Sequence, residues 1–263
     1  TILGGGSAGC GIAANIVEAM MEEGLSEEEA RSRMYIVDRY GLIEEGMQGL
    51  LDFQLAFQHS SASLTDWSRT GKDGSIGLLD VVKNAKPSIL IGTSGQPGLF
   101  TQEIIEEMGR NNAQPIIFPL SNPTSLMEAS AQQVLEWTEG RALVATGSPS
   151  DPVTLGDRTI RIAQCNNTYV FPAVGLGVIA GGCTRISDEM LRAGAKTLAE
   201  ASPTLEDPNA PLLPPLTEMR NVTRKIARAV ALKAQEQGYA PKTTPEELDQ
   251  KISDVFWEPA YGS

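Results

Sequence analysis

With 263 residues, 41% of them hydrophobic, the chain is long enough for one large or two ordinary domains, each with its own core. A net charge of -12 and a pI near 4.6 argue against a nucleic acid, whose phosphates demand clustered Lys and Arg, and against an anionic membrane surface as partner. Three cysteines, Cys10, Cys165 and Cys183, lie far apart without CxxC spacing, which argues against a disulfide framework or zinc site and for a reducing, cytoplasmic setting. No stretch has the character of a signal peptide or a membrane span. The longest apolar run, 171–183, is too short and glycine-rich to cross a bilayer and reads as a buried helix or turn.

The chain opens on the apolar stub Ile2-Leu3, then Gly4-Gly5-Gly6-Ser7-Ala8-Gly9-Cys10-Gly11, then Ile12, Ala13, Ile16, Val17 and Met20 at helical spacing. The spacing predicts a crossover helix over 7–23. Strand, glycine turn and helix is the context in which a dinucleotide pyrophosphate is held. Gly4 permits the bend, Gly6 lets the backbone approach the phosphates and Gly9 lets the helix pack on the strand, with the phosphate charge facing the helix start at Ser7 and Ala8. A plain strand-to-helix connection uses similar glycines, so the turn alone leaves both readings open. Only three residues precede the glycines, where a first strand usually runs about five or six, as expected for part of a longer chain.

Gly24 ends the first helix, Ser26 to Glu29 has the form of a capping box, and Met34 to Asp38 reads as a short strand ending in an acid. At that place Asp38 can accept hydrogen bonds from ribose hydroxyls and repel a 2′-phosphate, which favours NAD. It follows Gly9 by 29 residues rather than about 20, Arg39 beside it could pair with a 2′-phosphate, and a strand-end Asp can also cap a turn. Residues 40–75 read as loop with one short helix at most. They contain the single histidine, His59, read as a surface or structural residue rather than a base. Leu78 to Asn84 is expected to be helical.

From residue 88 the alternation is regular: strand 88–91, helix 101–109, strand 115–120, helix 130–138 with Gln133 completing a capping box, strand 142–145. Such alternation predicts parallel pairing, hence an α/β fold with a doubly wound, mostly parallel Rossmann-type sheet whose ligand lies at the C-terminal strand ends. Three loops fall at that edge: 92–98 with Thr93, Ser94 and Gly95, 120–124 with Asn122, and 164–169 with Asn166 and Asn167. Their small residues can back a ring, and their amides can fix a carboxamide or carboxylate without adding charge, although each loop taken singly is also ordinary turn chemistry. A helix over 187–200, a proline-rich connector over 203–215, a helix over 217–237 with Met219, Val222, Ile226 and Val230 on one face, and a short helix opened by Thr244-Pro245 complete the chain. The expected organisation is an NAD-binding domain over 1–201 and a helical C-terminal appendage over 202–263 packed on it. No Ser/His/Asp or Cys/His arrangement and no acidic pair at metal spacing is visible, so no catalytic residue and no metal ligand is assigned.

Several segments carry a specific resemblance: GGGSAGCGIA from Gly4, MYIVDRYGLI from Met34, PLSNPTS from Pro119, WTEGRALVATGSPSDPV from Trp137, IAQCNNTYVFPAVGLGVIAGG from Ile162 and ISDEML from Ile186. Over nearly all of residues 1 to 260 the chain resembles the C-terminal, NAD-binding part of the malic enzymes, above all the bacterial NAD-linked ones. The resemblance implies oxidation of malate by hydride transfer to NAD, loss of carbon dioxide and formation of pyruvate, with Mg²⁺ or Mn²⁺ as Lewis acid. It implies that Gly4 to Gly11 cradle the pyrophosphate, that Asp38 binds ribose, and that Asn122 and Asn166 face nicotinamide and malate, with Asn167 nearby. Gln54 falls where NADP-preferring relatives tend to have lysine, which supports NAD. The family's catalytic Tyr and Lys, a malate-binding Arg and three metal-ligating carboxylates come from sequence upstream of the glycine turn. This piece alone is therefore expected to bind NAD weakly and not to oxidise malate. A homo-oligomer, dimer or tetramer, is expected from the same resemblance. Malolactic enzymes share the fold and convert malate to lactate without net cofactor turnover; a non-catalytic NAD-binding module is the other alternative.

Overall fold

A computed structural model of the chain describes residues 1–207 and 210–258. They form two compact units, Thr1–Cys165 and Asn166–Ser263. In the first unit, β1 (Ile2–Leu3) leads through the glycine turn into α1 (Ser7–Glu22). The start of α2 (Glu27–Ser32) is closed reciprocally: Glu29 N–H donates to Ser26 Oγ (3.3 Å) and Ser26 N–H to Glu29 Oε2 (3.0 Å). β2 (Ile36–Asp38) turns back into β3 (Gly41–Leu42), and α3 (Asp52–Leu55) with 3-10 turns at Ser61–Leu64 and Lys72–Gly74 interrupts the long path to α4 (Leu78–Ala85). Then come β4 (Ile89–Gly92), α5 (Gln102–Asn111), β5 (Ile116–Pro119), α6 (Ala131–Trp137) and β6 (Leu143–Thr146). A two-stranded antiparallel hairpin, β7 (Val153–Leu155) and β8 (Arg158–Ile160), precedes β9 (Ala163–Gln164).

The main sheet has the order β3-β2-β1-β4-β5-β6-β9 and is parallel except at its β2–β3 edge. Successive residues of each strand face opposite sides, as the period of two requires. Ile2, Ile36 and Ile91 pack with Ala13 and Val17 of α1 and Ala30 of α2. Leu3, Val37, Leu90 and Ile117 pack on the other face with Val81 and Val82 of α4, Ile105 and Met108 of α5 and Val134 and Leu135 of α6. Helices on both faces explain why these strands read as apolar runs rather than alternating ones. The Rossmann-type, doubly wound sheet is thus observed, with an antiparallel edge strand in addition.

The path over 40–75 is more ordered than its irregular sequence suggests. Leu42 N–H donates to Ile76 O (2.8 Å), tying β3 to the end of that path. Buried Asp80 accepts from Gly77 N (2.9 Å), Thr70 N (2.8 Å), Ser68 Oγ (2.8 Å) and Thr70 Oγ1 (2.9 Å), which fastens 68–77 to the start of α4. Burial pushes its carboxyl up, but the four donors outweigh burial and hold it below the usual carboxylate value.

The second unit is helical: α7 (Phe171–Gly181), α8 (Asp188–Glu200), α9 (Met219–Glu236) and α10 (Pro245–Val255). Val222, Ile226 and Val230 of α9 form three of the four positions of the expected stripe, packing with Ala173 and Val174 of α7 and Met190 of α8, while Met219 at the helix start is half-buried and outside this cluster. α8 therefore packs with the residues that follow it, and the compact boundary falls at 165/166. Pro208, in the proline-rich connector, lies outside the described residues. The apolar run 171–183 is a helix, and small residues let it approach α9 closely: a Cβ on Gly177 would stand 2.5 Å from Ala227 O. It is not buried all round, since Phe171 is 79% and Ile179 67% exposed.

Candidate functional site

In an open parallel sheet, the crevice for a ligand lies outside the strand C-termini where the winding changes direction. Here that point is between β1 and β4, and both ends are built from residues singled out in the sequence. Gly4 follows β1 with φ of +111°, a conformation only glycine adopts freely, and a Cβ there would lie 2.7 Å from the Thr93 carbonyl. Gly9, in the first turn of α1, passes so near the bend that its Cβ would lie 1.9 Å from Gly4 O. A Cβ on Gly6, by contrast, meets nothing within 4 Å. Gly6, Ser7 and Ala8 are exposed, no side chain caps α1, and no acid occupies its first turn. The orphan N–H groups and positive dipole end of the helix therefore face open space, an environment suited to a phosphate anion.

Asp38 at the end of β2 stands over this turn. A Cβ on Gly5 would be 3.1 Å from Asp38 Oδ2. Its Oδ1 accepts from Arg39 N (2.9 Å), and its Oδ2 accepts from Gln54 Nε2 (3.3 Å), which also donates to Gly5 O (2.7 Å). Gln54 is buried, so a residue from the irregular path holds both the acid and the glycine turn. The Arg39 guanidinium lies over the Tyr40 ring at 5.0 Å from its centroid. Cys10 beneath the turn is no nucleophile: burial, with the Asp38 charge second, pushes its thiol up to about 11, and it donates to Gly5 O.

The loop after β4 turns its donors inward. Thr93 N donates to Leu3 O (2.8 Å), and its hydroxyl lies 3.3 Å from Leu3 O and 3.2 Å from Gly4 O. Ser94 donates from N (2.9 Å) and Oγ (2.8 Å) to Glu128 Oε1, and Gly95 N donates to Ser121 Oγ (2.8 Å). The exposed part of this loop is Gly95, Gln96, Pro97 and Gly98. After β5, exposed Asn122 has its amide oriented by Ser148 Oγ, which donates to Oδ1 (2.6 Å), while Nδ2 donates to Leu120 O (3.3 Å). The structure thus gathers Gly4, Gly6, Ser7, Ala8, Gly9, Asp38, Thr93, Ser94, Gly95 and Asn122 on loops at one edge of the first unit's sheet, and places Arg39 beside Asp38.

Asn166 and Asn167 open the second unit. Asn166 Oδ1 accepts from Thr168 N (2.9 Å) and Thr168 Oγ1 (2.7 Å), so its amide oxygen is engaged locally. Asn167 is exposed. His59 stacks on Tyr35 at 4.4 Å between centroids, with Nε2 2.8 Å from Met34 O. It is a structural residue of the path before α4. Among the described residues no three His, Cys, Asp or Glu come together to hold a metal ion. No described helix is long and apolar enough to cross a membrane.

Sequence reasoning missed Gln54 as a brace for Asp38 and missed Glu128 altogether. Glu128 carries no motif, and only its neighbourhood, a completely buried acid after Leu126-Met127, marks it out.

A family model described as "Malic enzyme, NAD binding domain" matches residues 1–235. The NAD-dependent malic enzyme of Aliivibrio salmonicida (strain LFI1238) is 52% identical over 261 residues, covering 99% of this chain and 46% of that protein. That of Vibrio parahaemolyticus serotype O3:K6 is 53% identical over the same length, again 46% of its own sequence. The chain therefore spans about half the length of the curated relatives it matches. Among solved structures, the malic enzyme of Entamoeba histolytica superposes with a TM-score of 0.70 at 21% identity, covering 96% of this chain and 47% of that one. That of Pyrococcus horikoshii Ot3 gives 0.67 at 22% identity, covering 97% and 52%. The sheet order, the glycine turn at its switch point and a match across residues 1–235 lead to one conclusion: this chain belongs to the NAD-binding domain family of the malic enzymes.

Proposed function

We propose that the chain supplies the NAD-binding part of an enzyme that oxidatively decarboxylates malate to pyruvate. The observation that carries this reading is the turn in which Gly4 and Gly9 touch while Gly6 borders open space at an uncapped helix start. In this reading the pyrophosphate lies along Gly4 to Gly9 and is bound by the first N–H groups of α1, including those of Ser7 and Ala8. Asp38, held by Gln54, accepts the ribose hydroxyls, and its charge disfavours a 2′-phosphate. Arg39, stacked on Tyr40, borders the adenosine end. Thr93, Ser94 and Gly95 back the cofactor with compact surface, and Asn122 presents an oriented amide to the nicotinamide. Asn166 and Asn167 supply amide donors for malate and nicotinamide. NAD, when bound, accepts the hydride from the malate carbinol carbon; the chain's residues bind and orient it.

The relatives are named NAD-dependent malic enzymes, so the reading commits to oxidation with release of NADH rather than to malolactic conversion. The Mg²⁺ or Mn²⁺ of this chemistry, a dimeric or tetrameric assembly and a cytoplasmic location are parts of the proposal that rest on the resemblance and, for location, on three free cysteines.

The test uses the full-length protein with NAD, Mn²⁺ and malate. Pyruvate formed in step with NADH supports the reading, and lactate without NADH refutes it. Gly6→Ala isolates the cofactor site: its added methyl meets no protein atom within 4 Å. Gly6 is the N-cap of α1, where alanine is poorer than glycine by up to about 1 kcal/mol, so the melting temperature should fall by no more than about 2–4 °C, while NAD binds on the order of tenfold more weakly. Unchanged affinity would place the pyrophosphate elsewhere.

A further inference from the structure

Glu128 is completely buried between the 3-10 turn at Thr124–Leu126 and the start of α6, outside every motif that points to the cofactor. Donors from two separate loops converge on its carboxylate. Oε1 accepts from Ser94 N (2.9 Å), Ser94 Oγ (2.8 Å) and Ser121 Oγ, and Oε2 accepts from Ser121 N (3.4 Å). Ser121 Oγ passes the connection on, accepting from Gly95 N (2.8 Å). The main chain adds Phe100 N to Glu128 O (3.1 Å). Gly92, at the end of β4, leaves the room this requires: a Cβ there would lie 2.5 Å from Glu128 Cδ.

Every one of these side-chain contacts uses the carboxylate as an acceptor, and no described cation pairs with it. A buried acid without a counter-ion is expensive compared with an apolar residue of the same volume, so bulk packing does not explain it. What it does that an apolar residue could not is satisfy four donors from two loops at once and hold those loops in one register. The loops are the ones that follow β4 and β5 and carry Gly95 and Asn122.

We propose that Glu128 is a positioning residue for the nicotinamide end of the cofactor site: it pins the 92–98 and 120–124 loops to each other and so fixes where Gly95 and Asn122 stand. The inference rests on the NAD reading above. Glu128→Gln is the informative change, because an amide has one acceptor oxygen. Its NH₂ then faces an N–H or O–H of Ser94 or Ser121, donor against donor.

The experiment measures NAD⁺ affinity by calorimetry and amide exchange in the full-length protein for wild type, Glu128→Gln, Ser121→Ala and Met108→Ala. Met108 is fully buried in the apolar core on α5 and takes part in none of the hydrogen bonds that join Ser94, Gly95, Ser121 and Glu128, so its truncation reports general loosening. Glu128→Gln should weaken NAD⁺ on the order of tenfold and raise exchange in 93–98 and 120–124. Ser121→Ala, which keeps the carboxylate and cuts the link to Gly95, should weaken it about threefold and preserves the test if Glu128→Gln fails to fold. Met108→Ala should destabilise the protein at least as much yet leave affinity within about twofold. Affinity unchanged by Glu128→Gln or Ser121→Ala, or lowered equally by Met108→Ala, would overturn the proposal. A wild type that does not bind NAD⁺ would instead refute the NAD reading, with the exchange data alone then deciding whether Glu128 holds the loops.

Discussion

Gly9→Ala and Gly11→Ala sit two residues apart in the same helix and should move stability in opposite directions. At Gly11 an added Cβ meets nothing within 4 Å, so the change reduces to helix propensity and gains about 0.8–1 kcal/mol. At Gly9 the same methyl would stand 1.9 Å from Gly4 O, about 1.5 Å inside the 3.4 Å at which ordinary contact begins, and 2.9 Å from Thr93 Oγ1. The carbonyl it meets cannot swing aside. Gly4 is anchored by its N–H to Val37 O (2.8 Å), and the neighbouring Thr93 N–H is bound to Leu3 O. The first turn of α1 must lift off the sheet, taking Cys10 and Ala13 out of register with Ile2 and Ile36. Overpacking of this kind costs about 3 kcal/mol at the upper end of its range, which the propensity gain offsets only in part, leaving a net loss of roughly 2 kcal/mol. Thermal unfolding followed by circular dichroism should place Gly9→Ala about 4–8 °C below wild type and Gly11→Ala about 2–4 °C above it. Should both variants rise together, the close approach at Gly9 would not be what keeps glycine there.

Two further expectations concern the path before α4 and the helical unit. Burial lowers the His59 ring below its usual value, only partly countered by the bond to Met34 O, so the folded state keeps it neutral while the unfolded chain protonates. Its contribution is therefore complete above about pH 6.5 and is lost as pH falls from there through the lower folded value; urea titrations at pH 7.5, 6 and 5 should show this slope in wild type and a flatter one in His59→Gln. Equal slopes would exonerate His59. In the second unit, Gly177→Ala should push α7 from α9 and cost about 1–3 kcal/mol, whereas Gly175→Ala, with nothing within 4 Å, should gain up to about 1 kcal/mol. Amide exchange in α7 and α9 separates the two, and equal protection in both variants would mean that the helices do not rely on Gly177 for their approach.

Much of the first unit was legible in the sequence because its signals are local. The glycine turn, the capping boxes at Ser26 and Ser130 and the apolar strands each depend on neighbours within a few residues, and all appear as expected. So does the amphipathic stripe of α9, whose period of 3.6 survives in isolation. β3 and β9, two residues each, leave no pattern long enough to read, and they exist because a neighbouring strand offers them hydrogen-bond partners. The boundary at 165/166 likewise depends on α8 packing on α9, a contact between segments about twenty residues apart.

The sequence by itself determined the α/β class, the glycine turn between strand and helix and the family, since these rest on residue identity and short-range spacing. Only the tertiary structure decided how the loop residues are used. Gln54 reaches Gly5 from 49 positions away, and Glu128 reaches Ser94 across 34. A buried polar side chain must find partners wherever the fold brings them, and that distance in sequence is invisible until the strands are laid side by side.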